Sequence, residues 1–296
     1  MDVAVSPARG LGERVLLFGH MIRFSHTAFA LPFALSGVLF AVHREGAWPP
    51  ARVWFWVIVA MVGARSAAMA FNRLADARLD SANPRTRDRE IPRGALSPAT
   101  VWAFTTIAAA VFVGAAAMLN RLAFALSPAA LGIVFFYSFT KRFTWASHLF
   151  LGLSLAVAPV GGWVAVTGRL EGAPFLLALG VLCWSAAFDV FYALQDVDFD
   201  REQGLRSIPA RFGVRGAIAA ARLLHVGAVA ALAALGPVLG LSPWYFAGLL
   251  VIAGILAYEH HLVKPGDLSR VNKAFFDMNA VIGVVFLAAA AAGVML

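Results

Sequence analysis

The chain has 296 residues, of which 61% are hydrophobic and only 14% are charged, against about 25% charged in ordinary soluble domains. A water-soluble fold cannot hide that much apolar surface. The net charge of +8 would suggest nucleic acid in a soluble protein, but here the basic residues fall between apolar runs, where lipid headgroups and anionic ligands are the partners to expect.

In chain order, the stretch to Gly19 is interrupted by Arg9, Glu13 and Arg14. That pattern is too mixed for a signal peptide, so the first apolar run is expected to stay as a membrane helix. A helix needs about 20 apolar residues to cross the hydrocarbon core. Runs of that length, broken at charges, Gly and Pro, predict about nine spans, at 20–42, 53–73, 99–119, 122–140, 147–167, 174–195, 214–238, 243–262 and 275–296. The third and fourth should meet in a tight hairpin near Asn120 and Arg121. Cys183, the single cysteine, lies inside the sixth run and reads as a core residue, which leaves no disulfide framework and no thiolate metal site. No soluble domain or long linker remains, so residues 1–296 are expected to form one all-α integral membrane domain.

Basic residues distribute unevenly over alternate loops. Eighteen of the 24 lysines and arginines fall on one side, and only Arg44, Arg52, Arg121 and Arg169 on the other, with Arg65 and Arg222 inside spans. The positive-inside rule then puts the N-terminus and the loops at about 73–98 and 196–213 in the cytoplasm.

Those two loops adjoin the residues that can do chemistry. The second span ends with Asn72, Asp76 and Asp80 at i, i+4 and i+8, which stack on one helical face about 6 Å apart per step. The sixth ends with Tyr192, Asp196 and Asp200 at the same spacing, with Asp198 pointing elsewhere if the helix persists. Carboxylates near a helix C-terminus meet the negative end of the dipole and one another, which is unfavourable without a cation. Only oxygen ligands are offered, which favours Mg²⁺ held by a few carboxylates together with phosphate oxygens. Downstream, Asn83-Pro-Arg85-Thr-Arg87-Asp-Arg89-Glu-Ile-Pro92-Arg93-Gly94 is a basic loop, and arginine's planar fork suits phosphate. Arg65 lies within an apolar span, two turns before Asn72; an intramembrane charge is costly and usually faces a functional cavity. Tyr137 and Lys141 form another i, i+4 pair at the cytoplasmic end of the fourth span, followed by Arg142.

Asn72-x3-Asp76-x3-Asp80 on one span and Asp196-x3-Asp200 on another, on the basic side of a chain with about nine spans, resemble the UbiA family of intramembrane aromatic prenyltransferases. The segments Asn83-Pro-Arg-Thr86, Arg89-Glu-Ile-Pro92-Arg-Gly94, Tyr192-Ala-Leu-Gln-Asp196 and Ser207-Ile-Pro209 look like a bacterial branch usually labelled 4-hydroxybenzoate polyprenyltransferase. The resemblance implies a horseshoe of nine helices around a central cavity in a bacterial inner membrane, with the active site at the cytoplasmic face. It implies that Asn72, Asp76, Asp80, Asp196 and Asp200 hold Mg²⁺ and the polyprenyl diphosphate, that Arg85, Arg89 and Lys141 contact the diphosphate, and that Tyr137 and Tyr192 lie near the ionising carbon. Arg65 would hold the carboxylate of the aromatic acid or share in phosphate binding. Two positions depart from the family's pattern: Arg73 stands where many members have a further aspartate, and Glu90 where proline is common.

The implied reaction is Mg-dependent transfer of a polyprenyl chain to an aromatic acid in ubiquinone or menaquinone synthesis. The expected acceptor is 4-hydroxybenzoate, and the alternative is a dihydroxynaphthoate of the futalosine menaquinone route. With metal and basic residues neutralising the diphosphate, the allylic C–O bond breaks and the ring attacks through the carbon ortho to its hydroxyl. The sequence singles out no base for the ring proton. A transporter is the reading from another class, but its ion sites belong near the midplane in broken helices, whereas these acids cluster at one interface. Neither a protein partner nor nucleic acid is expected.

Overall fold

The computed structural model describes residues 17–22, 27–268, 270, 271 and 278–296, with the side chains of 27–29 left aside. Among the described residues the protein is all-helical, with no named strand. After a helical turn at 17–21, the helices are α1 (Thr27–Glu45), α2 (Ala51–Ala82), α3 (Pro98–Leu119), α4 (Arg121–Thr140), α5 (Ser147–Thr167), α6 (Gly172–Ala193), a 3-10 turn (Leu194–Asp196), α7 (Val197–Glu202), α8 (Ile208–Leu239), α9 (Pro243–Leu262) and α10 (Asn279–Met295).

Local sequence sets the boundaries. Ser97 and Ser207 cap α3 and α8, their hydroxyls accepting from the N–H groups of Thr100 at 3.1 Å and Ala210 at 3.2 Å, with proline in each first turn. The hairpin expected at Asn120 is a single non-helical residue. Its Oδ1 accepts from Ala123 N–H at 2.9 Å and its Nδ2 donates to the Val164 carbonyl at 2.7 Å, which ties the hairpin to α5. Gly213, at φ +70°, breaks α8 near its start, a conformation in which any side chain would be strained.

Seven described helices are long and apolar enough to cross a membrane: α2, α3, α4, α5, α6 with its extension to Glu202, α8 and α9. The expected number of about nine is not reached among the described residues. α10 is apolar but has 17 residues, and the first and last expected spans, 20–42 and 275–296, run partly outside the described set, as do Arg9, Arg14, Arg23 and Lys273. Three boundaries also differ. α2 continues past 73 to Ala82, α8 begins at Ile208 rather than 214, and the sixth span bends through the 3-10 turn instead of running straight. At 32 residues, α2 is about 48 Å long, longer than a hydrocarbon core of about 30 Å is thick, and the acids lie in its last turns.

The helices pack in sequence, α2 on α3, α3 on α4, α4 on α5 and α5 on α6, and α1 lies against α5 and α10. Two glycines make the α1–α5 crossing close: a Cβ at Gly37 would run into the Pro159 carbonyl, and one at Gly162 into the Ala34 carbonyl. On the α1, α6, α8, α9 and α10 side the interior is solid. Phe33, Phe40, Trp163, Trp184, Tyr245 and Phe286 fill it, and the Tyr245 hydroxyl donates to the Leu232 carbonyl at 2.9 Å. On the α2 to α6 side the helices surround a cavity.

Candidate active site

The cavity has a volume of about 650 Å³. Its deeper wall is apolar, with Ala34, Val57, Ala116, Leu126, Val134 and Leu155 among the lining residues, and its polar groups gather where α2, α4 and α6 end.

Helical spacing brings Arg65, Asn72, Asp76 and Asp80 of α2 to the cavity wall. After α2, Asn83 Oδ1 accepts from Arg85 N–H at 2.9 Å and Thr86 Oγ1 donates to the Asp80 carbonyl at 3.2 Å, folding the loop back over the helix end. Arg89 Nη1 then reaches both oxygens of Asp80, at 2.7 and 2.8 Å. Arg85 crosses to the far wall: Nε donates to Asp196 Oδ1 at 2.9 Å, Nη2 to Asp196 Oδ2, and Nη1 to the Tyr192 hydroxyl at 2.6 Å. Asn83 Nδ2 also donates to Asp196, at 3.1 Å. Burial disfavours the Arg85 cation, but Asp196 and Tyr192 outweigh it and raise its pKa above the ordinary arginine value. On the α4 side, Arg142 donates to Asp76 Oδ1 at 3.0 Å and to the Ala75 carbonyl at 2.6 Å, while Asn72 Nδ2 donates to Asp76 Oδ2 at 3.1 Å. Asp200 is buried and accepts from the Ser207 hydroxyl at 2.8 Å.

Three of the acids are thus neutralised by arginines, Asp76 by Arg142, Asp80 by Arg89 and Asp196 by Arg85. Two basic groups on the cavity wall are left for an anion. Lys141 makes no ion pair among the described residues, and Arg65 Nε is buried without a hydrogen-bond partner among them. As for a metal, no three of His, Cys, Asp and Glu converge tightly enough to hold an ion unaided among the described residues. The donor chemistry nevertheless fits. Asn72, Asp76, Asp80, Asp196 and Asp200 line one cavity and offer only oxygen, the set a hard divalent cation takes when ligand phosphate oxygens complete its shell. The arginines stand where they would exchange carboxylate for phosphate.

The UbiA prenyltransferase family profile matches residues 30–293. The chain belongs to the UbiA prenyltransferase family. It is 30% identical over 241 residues to a 4-hydroxybenzoate octaprenyltransferase of Aromatoleum aromaticum, covering 81% of this chain and 82% of the relative. To the protein of the same name from Vibrio cholerae it is 31% identical over 263 residues, 89% of each chain. A solved apo structure of a UbiA homolog from Aeropyrum pernix K1 superposes with a TM-score of 0.81 at 34% identity, covering 90% of this chain and 96% of that one. A UbiA homolog from Archaeoglobus fulgidus bound to GPP and Mg²⁺ shares the fold, with a TM-score of 0.67 at 17% identity over 93% of this chain and 99% of that one.

In this UbiA prenyltransferase, a multi-pass membrane enzyme, the residues assigned a metal, substrate or catalytic role from the sequence line the same cavity: Arg65, Asn72, Asp76, Asp80, Arg85, Arg89, Tyr137, Lys141, Tyr192, Asp196 and Asp200. Two expectations need correction. Asp196 and Asp200 do not stack on a straight helix, because the chain turns through 3-10 geometry at Leu194–Asp196 and Asp200 is drawn toward Ser207; Asp198 is exposed. The acid ladders, expected to be unfavourable without a cation, are balanced by arginines, and Arg142, which the sequence marked only as a neighbour of Lys141, is one of them. Arg73, at the position of the absent aspartate, is buried, with Nε donating to the Met21 carbonyl at 3.4 Å. Sequence reasoning quoted Asn83 and Thr86 without giving them a role and missed His148 and Asp189, all four on the cavity wall. For Asp189 a signal existed, as a carboxylate inside an otherwise apolar run.

Proposed function

We propose that this prenyltransferase ionises a polyprenyl diphosphate with Mg²⁺ and transfers the chain to an aromatic carboxylic acid, 4-hydroxybenzoate, in the synthesis of a respiratory quinone. The observation that carries the reading is the pairing of two anion-recognising regions in one largely apolar cavity: the acid and arginine lattice at its mouth, and Arg65 two helical turns deeper with Nε unpartnered among the described residues. The relatives named 4-hydroxybenzoate octaprenyltransferase support the choice of acceptor.

In this reading residues 1–296 form a single catalytic domain, and Asn72, Asp76, Asp80, Asp196 and Asp200 hold the metal. Bound Mg²⁺ supplies charge neutralisation to the departing diphosphate. Arg85, Arg89 and Lys141 grip the same oxygens, so the allylic C–O bond breaks against preorganised positive charge. Tyr137 and Tyr192 present ring faces and hydroxyls to the allylic carbon, where a ring quadrupole favours a cation. The apolar wall keeps water from trapping that cation as an alcohol. Arg65 takes the acceptor's carboxylate in a two-point grip. The active site faces the cytoplasm across a bacterial inner membrane, as the bias in basic residues supports.

The test is a product analysis. Purified protein in detergent receives a polyprenyl diphosphate with 4-hydroxybenzoate or with a dihydroxynaphthoate, with and without Mg²⁺, and mass spectrometry identifies what is prenylated. Prenylated 4-hydroxybenzoate formed only with Mg²⁺ is the expected result. Prenylation of the naphthoate alone would move the enzyme to the menaquinone route, and no product with either acid would refute the aromatic assignment.

A further inference from the structure

We propose that Asp189, oriented by His148, is the base that takes the ring proton of the aromatic acceptor; the inference rests on the aromatic prenyl-transfer reading above. Asp189 lies within apolar α6, four residues before its end, and lines the cavity with its side chain 17% exposed. A carboxylate at that depth is costly without a function. Its surroundings differ from those of the other acids. Asp76, Asp80 and Asp196 are each neutralised by an arginine and Asp200 is held by Ser207, whereas the one hydrogen-bond partner of Asp189 among the described residues is His148, at 2.7 Å. A carboxylate locked to a guanidinium is a poor proton acceptor, and no guanidinium pairs with Asp189 among the described residues.

The imidazole is itself fixed. The backbone N–H of Ile208, in the first turn of α8, donates to His148 Nε2 at 3.3 Å. That assigns the ring proton to Nδ1, which donates to Asp189 Oδ2, while Oδ1 makes no hydrogen bond among the described residues. His148 is buried at the start of α5, so the pair is rigid. It is a positioning residue, while Asp189 touches the acceptor.

Depth makes the assignment specific. Asp189 precedes Asp196, the last residue of the 3-10 turn after α6, by seven residues, and Arg65 precedes Asn72 by seven on α2. At 1.5 Å per helical residue Arg65 lies about 10 Å below Asn72, and Asp189 lies four helical residues and a 3-10 turn below Asp196, so the two face the cavity from different walls, both deeper than the metal-ligand groups. An aromatic acid gripped by its carboxylate at Arg65 presents its far edge, with the hydroxyl and the ortho carbon, toward the α6 wall. In the reading above, Tyr192, one turn above Asp189 on the cavity wall, stands beside the ionising carbon. In the step itself, a ring π pair forms the bond to the allylic carbon. The ortho C–H bond then breaks, its electrons restore aromaticity, and the proton passes to Asp189 Oδ1. It leaves with the pyrophosphate.

The experiment uses full-length protein in detergent, the acceptor that wild type prenylates, and the same acid deuterated ortho to its hydroxyl. Wild type is expected to show almost no isotope effect, because ionisation limits turnover. Asp189→Asn is expected to lower the rate of prenylation by about 10²-fold or more, to continue releasing pyrophosphate with prenyl alcohol as by-product, and to show a primary isotope effect. His148→Gln should lower kcat with an unchanged acceptor KM. If Asp189→Asn is not recovered folded, Asp189→Glu carries the test, with slowed prenylation and an isotope effect expected. Wild-type kcat in Asp189→Asn, equal loss of pyrophosphate release and prenylation, or no isotope effect in either variant would each overturn the proposal. Absence of any prenylated acid from wild type would instead refute the reading on which it rests.

Discussion

Replacing Arg65 with lysine separates substrate binding from structural support. The guanidinium sits on the cavity wall with Nε buried and unpartnered among the described residues. A guanidinium grips a carboxylate through two parallel N–H donors, and a lysine ammonium keeps the charge but offers one point of contact. Losing one charge-assisted hydrogen bond costs about 1.5–3 kcal/mol, which corresponds to roughly a 10- to 150-fold weakening. Steady-state kinetics with each substrate varied in turn should therefore show the acceptor KM rising by that factor, with the prenyl diphosphate KM within about twofold and kcat changed little, the pattern of lost uniform binding. A rise confined to the diphosphate KM would refute the acceptor assignment. Unchanged KM values for both substrates with unchanged kcat would show that Arg65 is structural.

Other outcomes follow from the same geometry. Asp76→Ala and Asp196→Ala should each cut turnover by about 10²-fold or more while circular dichroism and gel filtration stay as in wild type; near-normal rates at limiting Mg²⁺ would remove these residues from the metal site. Cysteines introduced at Arg87 or Glu202 should react only with reagents that reach the cytoplasm, and labelling from the periplasm would reverse the topology. Gly162→Leu drives a side chain into the Ala34 carbonyl and should cost about 1–3 kcal/mol by overpacking. Gly114→Ala meets nothing within 4 Å and should leave the thermal midpoint unchanged or higher; equal losses in both would refute the close α1–α5 crossing.

The membrane class and the acid ladders were legible because they depend on local chemistry. Asn72, Asp76 and Asp80 at the end of a largely apolar helix leave little freedom of interpretation, since 3.6-residue periodicity puts them on one face whatever the rest of the chain does. Asn120 likewise announced a hairpin by lying between two apolar runs. What the sequence hid depends on distant neighbours. Arg142 meets Asp76 across 66 positions, Asn83 meets Asp196 across 113, and His148 meets Asp189 across 41. No periodicity reports such pairings. The bend after Ala193 was also hidden, because the spacing of Asp196 and Asp200 fits a straight helix equally well, and only the Ser207 hydroxyl and the 3-10 turn turn Asp200 inward.

The central claim is that the acid and arginine lattice at the cavity mouth is a metal-dependent diphosphate site, and equilibrium binding tests it most directly. A radiolabelled thiolo analogue of geranyl diphosphate, which resists ionisation, is titrated against the full-length protein in detergent with Mg²⁺ and then with EDTA. Binding should require Mg²⁺ and weaken by about 10-fold or more, or about 1.4 kcal/mol, when Arg85 or Asp196 is replaced by alanine. Equal affinity in EDTA and Mg²⁺, undiminished in both variants, would contradict it.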